Sequence, residues 1–366
     1  MNRKACNTEL RTKKVAVIFP KDSESVFTNT RLTFGGATVQ LYNISRELVK
    51  TVDITAIVNR SEKIDPDKQT EFPVVLSYGR QDSLIRKILL FHRSLRKVRP
   101  DVVIQRGLSY FSPLLCIYCR IFRIKFIFMY AHDRESRGRF QRTNRRNLIY
   151  PLLLRCSSSL VVQNDQQEKS IPSRFSGKIH KIRNGFEMSR NGSCDKCGVL
   201  WVGRLEPWKR PEAFIRLAEK FPDVPFIMIC PGVGGYEKFA EKVYTDAAEV
   251  DNIKIIDFVP YDEIDENFKK AKIFVNTSLE EGFPNTFVQA CRNNTPIVSL
   301  SVNPDSFIDR YGLGCTCGDS EDVMYQSVKG LLTDDELYSE YSSAAYEYAR
   351  ENHSIRQNVM MLQKLF

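Results

Sequence analysis

An α/β protein of two doubly wound domains is predicted by three observations. Short apolar runs of strand length alternate with amphipathic segments of helical period along the chain, which is the rhythm of parallel sheets covered by helices on both faces. The 366 residues are more than one core usually holds, so two domains are expected. The charge also divides: residues 1–185 hold 35 Lys and Arg against 15 Asp and Glu, leaving 19 against 29 in 186–366. A basic half joined to an acidic half near Asn184-Gly185 points to separate domains and to an anionic partner for the first one.

In the first half, strands are expected at 14–20, 53–58, 101–105, 125–130 and 159–163. Helices are expected at 37–50, through Val39, Leu41, Ile44 and Leu48, and at 83–98, through Leu84, Ile88, Leu95 and Val98. In the second half the strands fall at 198–203, 225–230, 253–258, 272–276 and 296–301, with a helix at 212–220 and two more in 335–366. Sheets of this kind bind ligands beyond the carboxyl ends of their strands, so the binding residues are expected there.

Two such strand ends carry chemistry. Glu-Glu-Gly-Phe-Pro-Asn-Thr-Phe-Val-Gln at 280–289 follows a strand and opens a helix. Gly282 permits close approach of backbone, and Pro284 suits a helix start because it brings no amide hydrogen to leave unpaired. The amides of Asn285, Thr286 and Phe287 then face a space fronted by Glu281, and a helix N-terminus of this kind attracts anions, phosphate above all. At 199–211 a buried strand is followed by Gly203, Arg204 and Lys209. An arginine fork and a lysine point charge on one loop suit the two phosphates of a diphosphate.

Together these segments resemble glycosyltransferase family 4, whose members are retaining, nucleotide-sugar-dependent enzymes of GT-B architecture, two Rossmann-like domains facing a central cleft. The resemblance is strong over about 199–315 and looser elsewhere. It implies that Gly203, Arg204 and Lys209 grip the diphosphate and that Glu281, Gly282, Phe283 and Pro284 hold the sugar donor, with Glu281 on sugar hydroxyls. The family's second acidic residue, which binds ribose, falls here on Gln289, whose carbonyl still accepts from a hydroxyl. The resemblance further implies domains of 1–185 and 186–346, with a last helix at about 347–366 crossing back to the first.

Other residues enter with it. Gly35-Gly36 follows the first strand and opens a helix, the place of the family's glycine loop; no Walker lysine follows, which argues against a P-loop NTPase. His132, just past the strand at 125–130, matches a family histidine beside the transferred sugar, with Asp133 the weaker choice. Phe258 and Pro260, at the end of the 253–258 strand, match the nucleobase region. The Arg-rich stretch 134–146 reads as a loop near the acceptor or a lipid face.

No zinc-finger, RNA-recognition or helix-turn-helix pattern accompanies the basic half, so nucleic acid is not expected and an anionic membrane surface is. No secretory leader is read at the N-terminus, and the apolar stretch 111–130 is broken by Arg120, Arg123 and Lys125, so it should not span a bilayer. Ten cysteines are then expected as reduced thiols. The pairs Cys116/Cys119, Cys194/Cys197 and Cys315/Cys317 lie too far apart in sequence to suggest one metal centre. The expectation is a cytoplasmic enzyme, peripheral at the inner face of a membrane. It would move a sugar from UDP or GDP to a glycan or lipid-linked acceptor with no cofactor and no metal. A GT-B sugar-nucleotide epimerase, or a silent glycan- or nucleotide-binding protein with Gln289 as its mark, stays open beside it.

Overall fold

The computed structural model describes the chain except residues 1–11, 21–22, 24–25, 28–34, 62–63, 65–69, 80, 141–146, 189–194 and 262. It contains two parallel sheets. The first holds β1 (Lys14–Ile18), β2 (Asp53–Arg60), β3 (Val74–Gly79), β4 (Val102–Arg106), β5 (Lys125–Met129), β6 (Ser159–Val162) and β7 (Ile179–Lys181), in the order β3-β2-β1-β4-β5-β6-β7. The second holds β8 (Cys197–Val202), β9 (Phe226–Ile229), β10 (Ile253–Ile256), β11 (Ala271–Asn276), β12 (Ile297–Ser299) and β13 (Gly314–Thr316), in the order β10-β9-β8-β11-β12-β13. In each sheet the chain reverses its direction of winding beside the first strand, where crevices open in such folds.

The central strands read as continuous apolar runs because helices cover both faces. Val15, Val17, Val102 and Ile104 are buried in one core, and Val199, Trp201, Met228 and Ile273 in another. The predicted strands are present with their ends shifted by a few residues, β2 running on to Arg60. Three were not foreseen: β3, β7 and β13, all at sheet edges. The strand expected at 253–258 stops at Ile256, which leaves Phe258 and Pro260 in the following loop.

Three helices matter below: α1 (Gly36–Leu48), α2 (Leu84–Val98) and α3 (Ser112–Ile121). The final helix, Ile355–Gln363, returns to the first sheet, where Ile355, Val359 and Leu362 join the core of Val15, Val17 and Leu41. Two backbone bonds hold the return in place: Phe186 N donates to the His353 carbonyl (2.8 Å) and Ile355 N to that of Phe186 (3.0 Å). Among the described residues no helix is long and apolar enough to cross a membrane.

Candidate functional site

A cavity of about 1600 Å³ lies between the sheets and receives loops from the strand ends of both. From the second sheet come Gly203 and Arg204 beyond β8, Lys209 in the short turn Pro207–Lys209, and Glu281, Gly282, Pro284, Asn285, Thr286 and Gln289 beyond β11. From the first come Gly35 and Gly36 at the start of α1, Arg106 at the end of β4, and His132 beyond β5. The separate motifs of the sequence thus line one cavity.

The cationic loop is pinned from below. Thr277 Oγ1 accepts from Trp201 Nε1 (2.9 Å) and donates to the Lys209 carbonyl (2.7 Å), while Arg210 Nε donates to the Thr277 carbonyl (2.8 Å). Leu279 N adds a bond to the Trp208 carbonyl (2.9 Å). Lys209 Nζ sits 4.3 Å from the centre of the Trp208 ring and pairs with Glu281; Ser278 Oγ also donates to Glu281 (3.2 Å). Arg204 pairs with Glu206 across 3.0 Å. Each cation therefore holds a carboxylate of its own wall, where the sequence suggested a joint grip on a diphosphate.

The 280–289 turn departs from expectation in detail. Pro284 stands just before the first helical residue of Asn285–Arg292, and its carbonyl accepts from Phe287 N (3.2 Å), so the Phe287 amide is not free to face an anion as expected. The Phe283 ring packs against Phe307 (4.9 Å) and His353 (5.0 Å), which anchors the turn while Phe283 still lines the cavity. Gly282 lets the two walls approach closely: a Cβ there would crowd the Ala131 carbonyl at 3.1 Å and His132 Cα at 3.3 Å. That closeness brings Glu281 to His132.

His132 is buried, and its Nδ1 accepts from Arg134 N (3.2 Å), so its ring proton resides on Nε2. Burial holds its pKa below the usual histidine value, against the pull of Asp133, Glu281 and Glu280, which keeps the ring neutral at pH 7. Asp133 is spent on structure: its Oδ1 accepts from Asn164 Nδ2 and Gln167 Nε2, both at 2.9 Å. Arg134 pairs with Glu280 across the cleft. The Arg-rich stretch expected as a loop opens in a helical turn, Asp133–Ser136, and its residues 141–146 lie outside the described residues. Phe258 lines the cavity, whereas Pro260 is exposed and off its wall. Freed of the strand, Pro260 instead offers its carbonyl to Glu263 N (3.0 Å) and Ile264 N (3.1 Å). Gln289 lines the cavity and is buried.

Sequence reasoning missed the polar seam that joins the walls. Arg106 Nη2 donates to Asn184 Oδ1 (2.7 Å), and Asn184 Nδ2 donates to the Phe283 carbonyl (3.0 Å) and Asn285 Oδ1 (2.9 Å). Asn285 Oδ1 also accepts from Gln40 Nε2 (3.0 Å), and its Nδ2 donates to the Gly36 carbonyl (3.1 Å). A Cβ on Gly36 would meet Asn285 Nδ2 at 2.9 Å, so a side chain there would push the Asn285 amide out of this seam. Below Arg106, Glu135 accepts from Ala131 N (2.8 Å) and Leu108 N (3.0 Å). Burial pushes this carboxyl up and lowers Arg106 to about 10, with the facing charges opposing both shifts. The one hint in the sequence was Arg106 standing before Gly107 at a buried strand's end.

Residues 193–348 match the family model described as glycosyl transferases group 1. Over 158 residues the chain is 27% identical to Glycosyltransferase 1 domain-containing protein 1 of Xenopus tropicalis, a match that covers 43% of this chain and 45% of that protein. The chain spans under half the length of the curated relatives it matches. Similar solved structures cover nearly all of it. HepE of Anabaena in complex with UDP and glucose superposes with a TM-score of 0.75 at 14% identity over 96% of this chain and 98% of that one. Sucrose-phosphate synthase from Thermosynechococcus elongatus gives 0.79 at 12%, again over 96% and 98%. The fold is GT-B.

Among the described residues the cysteines add no competing site. Cys116, Cys119, Cys230 and Cys291 are buried, and burial raises their thiols, Cys116 and Cys230 to about 12. Cys194 lies outside the described residues. Among those residues there is no group of three or more side chains able to hold a metal ion.

Proposed function

We propose that this chain moves a hexosyl group from a UDP- or GDP-linked donor to an acceptor hydroxyl, with retention at the anomeric centre and without a metal ion. One observation carries the reading: Arg204, Lys209 and the N-terminus of helix Asn285–Arg292 line the same cavity as neutral His132 and the Gly35-Gly36 turn. The group 1 match over 193–348 and the UDP held by HepE of similar fold support it.

As the bond from the anomeric carbon to the diphosphate oxygen breaks, negative charge grows on the leaving group. Arg204 and Lys209 neutralise that charge from fixed loops, which is where electrostatic catalysis gains most. Lys209 then shares itself between phosphate and Glu281, and Glu281 turns its free oxygen to the sugar hydroxyls. The acceptor oxygen attacks from the face the nucleotide leaves, and its proton passes to the departing phosphate oxygen. His132 Nε2–H donates to the sugar. Gln289 and Phe258 receive ribose and base. The acceptor is a lipid-linked or envelope glycan intermediate, and the basic half holds the protein at the cytoplasmic face of an anionic membrane.

A thermal-shift panel of nucleotide sugars, followed by product analysis with the donor that protects most, tests the reading. Protection by one UDP- or GDP-sugar and slow release of its nucleotide are expected. Protection without any release would favour the silent nucleotide-binding protein that Gln289 suggests, and no protection by any of them would refute the transfer reading.

A further inference from the structure

The cavity is larger than one ligand needs. Sites for a single small molecule or cofactor occupy roughly 300–1,000 Å³, against about 1600 Å³ here. The excess includes an arm between α2 and α3, walled by Ile88, Leu89 and Phe91 of α2 and by Phe111, Leu114 and Tyr118 on the α3 side. Ring contacts tie the two walls: Tyr78 lies 6.3 Å from Phe91 and 6.0 Å from Phe111, and His92 Nδ1 is 3.1 Å from the Tyr118 hydroxyl.

α2 itself is anomalous. Of its fifteen residues only Ser94 and Leu95 are buried, and Leu84, Ile85, Ile88 and Leu89 are 58, 73, 50 and 54% exposed. Positions 84/88 and 85/89 are neighbours one turn apart, so these side chains form one contiguous apolar strip. Isolated exposed leucines need no explanation, but a strip leading into a ligand cavity marks a surface that something apolar covers. The same helix carries Arg86, Lys87, Arg93, Arg96 and Lys97 and no acidic residue, which suits a ligand whose apolar part is joined to an anionic group.

We propose that this arm holds the hydrocarbon chain of a lipid acceptor, laid between α2 and α3 so that its polar end reaches His132 and the sugar donor. This rests on the transfer reading above and names the acceptor class that reading leaves broad. It also gives the under-buried face of α2 a purpose: the chain enters from the lipid side along the strip, and the hydroxyl end arrives in the cleft.

The test uses the full chain and n-alkyl β-D-glucosides of six to twelve carbons, each below its micellar concentration, titrated calorimetrically. Affinity should tighten about fourfold for each methylene that leaves water, until the arm is full. Ile88→Glu, at a half-exposed position that the fold tolerates, should weaken dodecyl glucoside binding at least tenfold with an unchanged melting temperature. Leu148→Glu, at a more exposed leucine outside the arm, should leave it unchanged. A flat chain-length series, or equal losses in both variants, would overturn the proposal. The same samples are tested for protection by UDP and GDP. Failure of that protection in the wild type breaks the transfer reading, which a flat chain-length series would not.

Discussion

The two walls of the cleft are built on opposite plans. The wall from the second sheet is short, charged and braced: the Lys209 loop is tied to Thr277, Arg204 and Lys209 each hold a carboxylate, and Phe283 anchors its turn in the core. The wall from the first sheet is apolar and open where α2 and α3 meet, with most of α2 outside the core. Fixed charges are effective only when they are preorganised, and a diphosphate is the same in every nucleotide sugar. A chain-like acceptor instead calls for area and access. On the proposed reading, the second wall carries the chemistry shared by such donors and the first carries the identity of the acceptor.

Removing charge from the braced wall should do the most damage. Arg204→Ala and Lys209→Ala are each expected to lower turnover about 10²–10³-fold with the fold intact, since each takes one stabilising group from the leaving diphosphate. Initial rates at saturating sugar donor, beside a melting curve, measure this. Near-normal turnover in both variants would remove the functional distinction between the walls.

The seam between the walls should show itself in acid. His353 is fully buried and within 2.7 Å of the Asn184 carbonyl through Nδ1, and burial lowers its pKa to about 3. The unfolded chain, with an ordinary value near 6.5, binds this proton more readily. Stability from the neutral ring is therefore complete above about pH 6.5 and is lost as the pH falls toward 3, by up to about 1.4 kcal/mol per unit. Urea unfolding across this range should show that slope, and His353→Phe should remove one proton's share of it. An identical slope in the variant would place the acid sensitivity elsewhere.

The smallest effect is expected at Gln289. A carboxylate accepts from a ribose hydroxyl at least as well as an amide does, so Gln289→Glu should hold or improve the affinity for the sugar donor. A large loss, read by titration, would show that the braced wall has been rebuilt around a neutral side chain.

What could be read beforehand follows the same division. Gly203, Arg204 and Lys209, or Glu281 through Gln289, lie within a few residues of one another beside a strong apolar strand, so local pattern was enough to find them. The seam was not legible, because its bonds join residues 78, 101 and 249 positions apart and no local pattern encodes such meetings. β7 and β13 have three residues each, too few to show a period. β3 pairs beside β2 at the sheet edge with its residues only partly buried, so it lacks the continuous apolar run of a central strand. Ile253–Ile256 was overextended because Phe258 and Val259 prolong its apolar run, though Pro260 and the turn into the next helix end it sooner. The segment of α2 is legible as a helix, but the exposure of its apolar face is not: periodicity reports an apolar face and is silent on what covers it.

On the proposed reading, fixed side chains of the second wall neutralise the departing diphosphate without a metal ion. This is tested by the initial rate of nucleotide release from the donor that the panel selects, in EDTA and again with magnesium or manganese added. Rates that agree within about twofold are expected, because Arg204 and Lys209 supply the charge. Complete loss of activity in EDTA, restored by either metal, would contradict it.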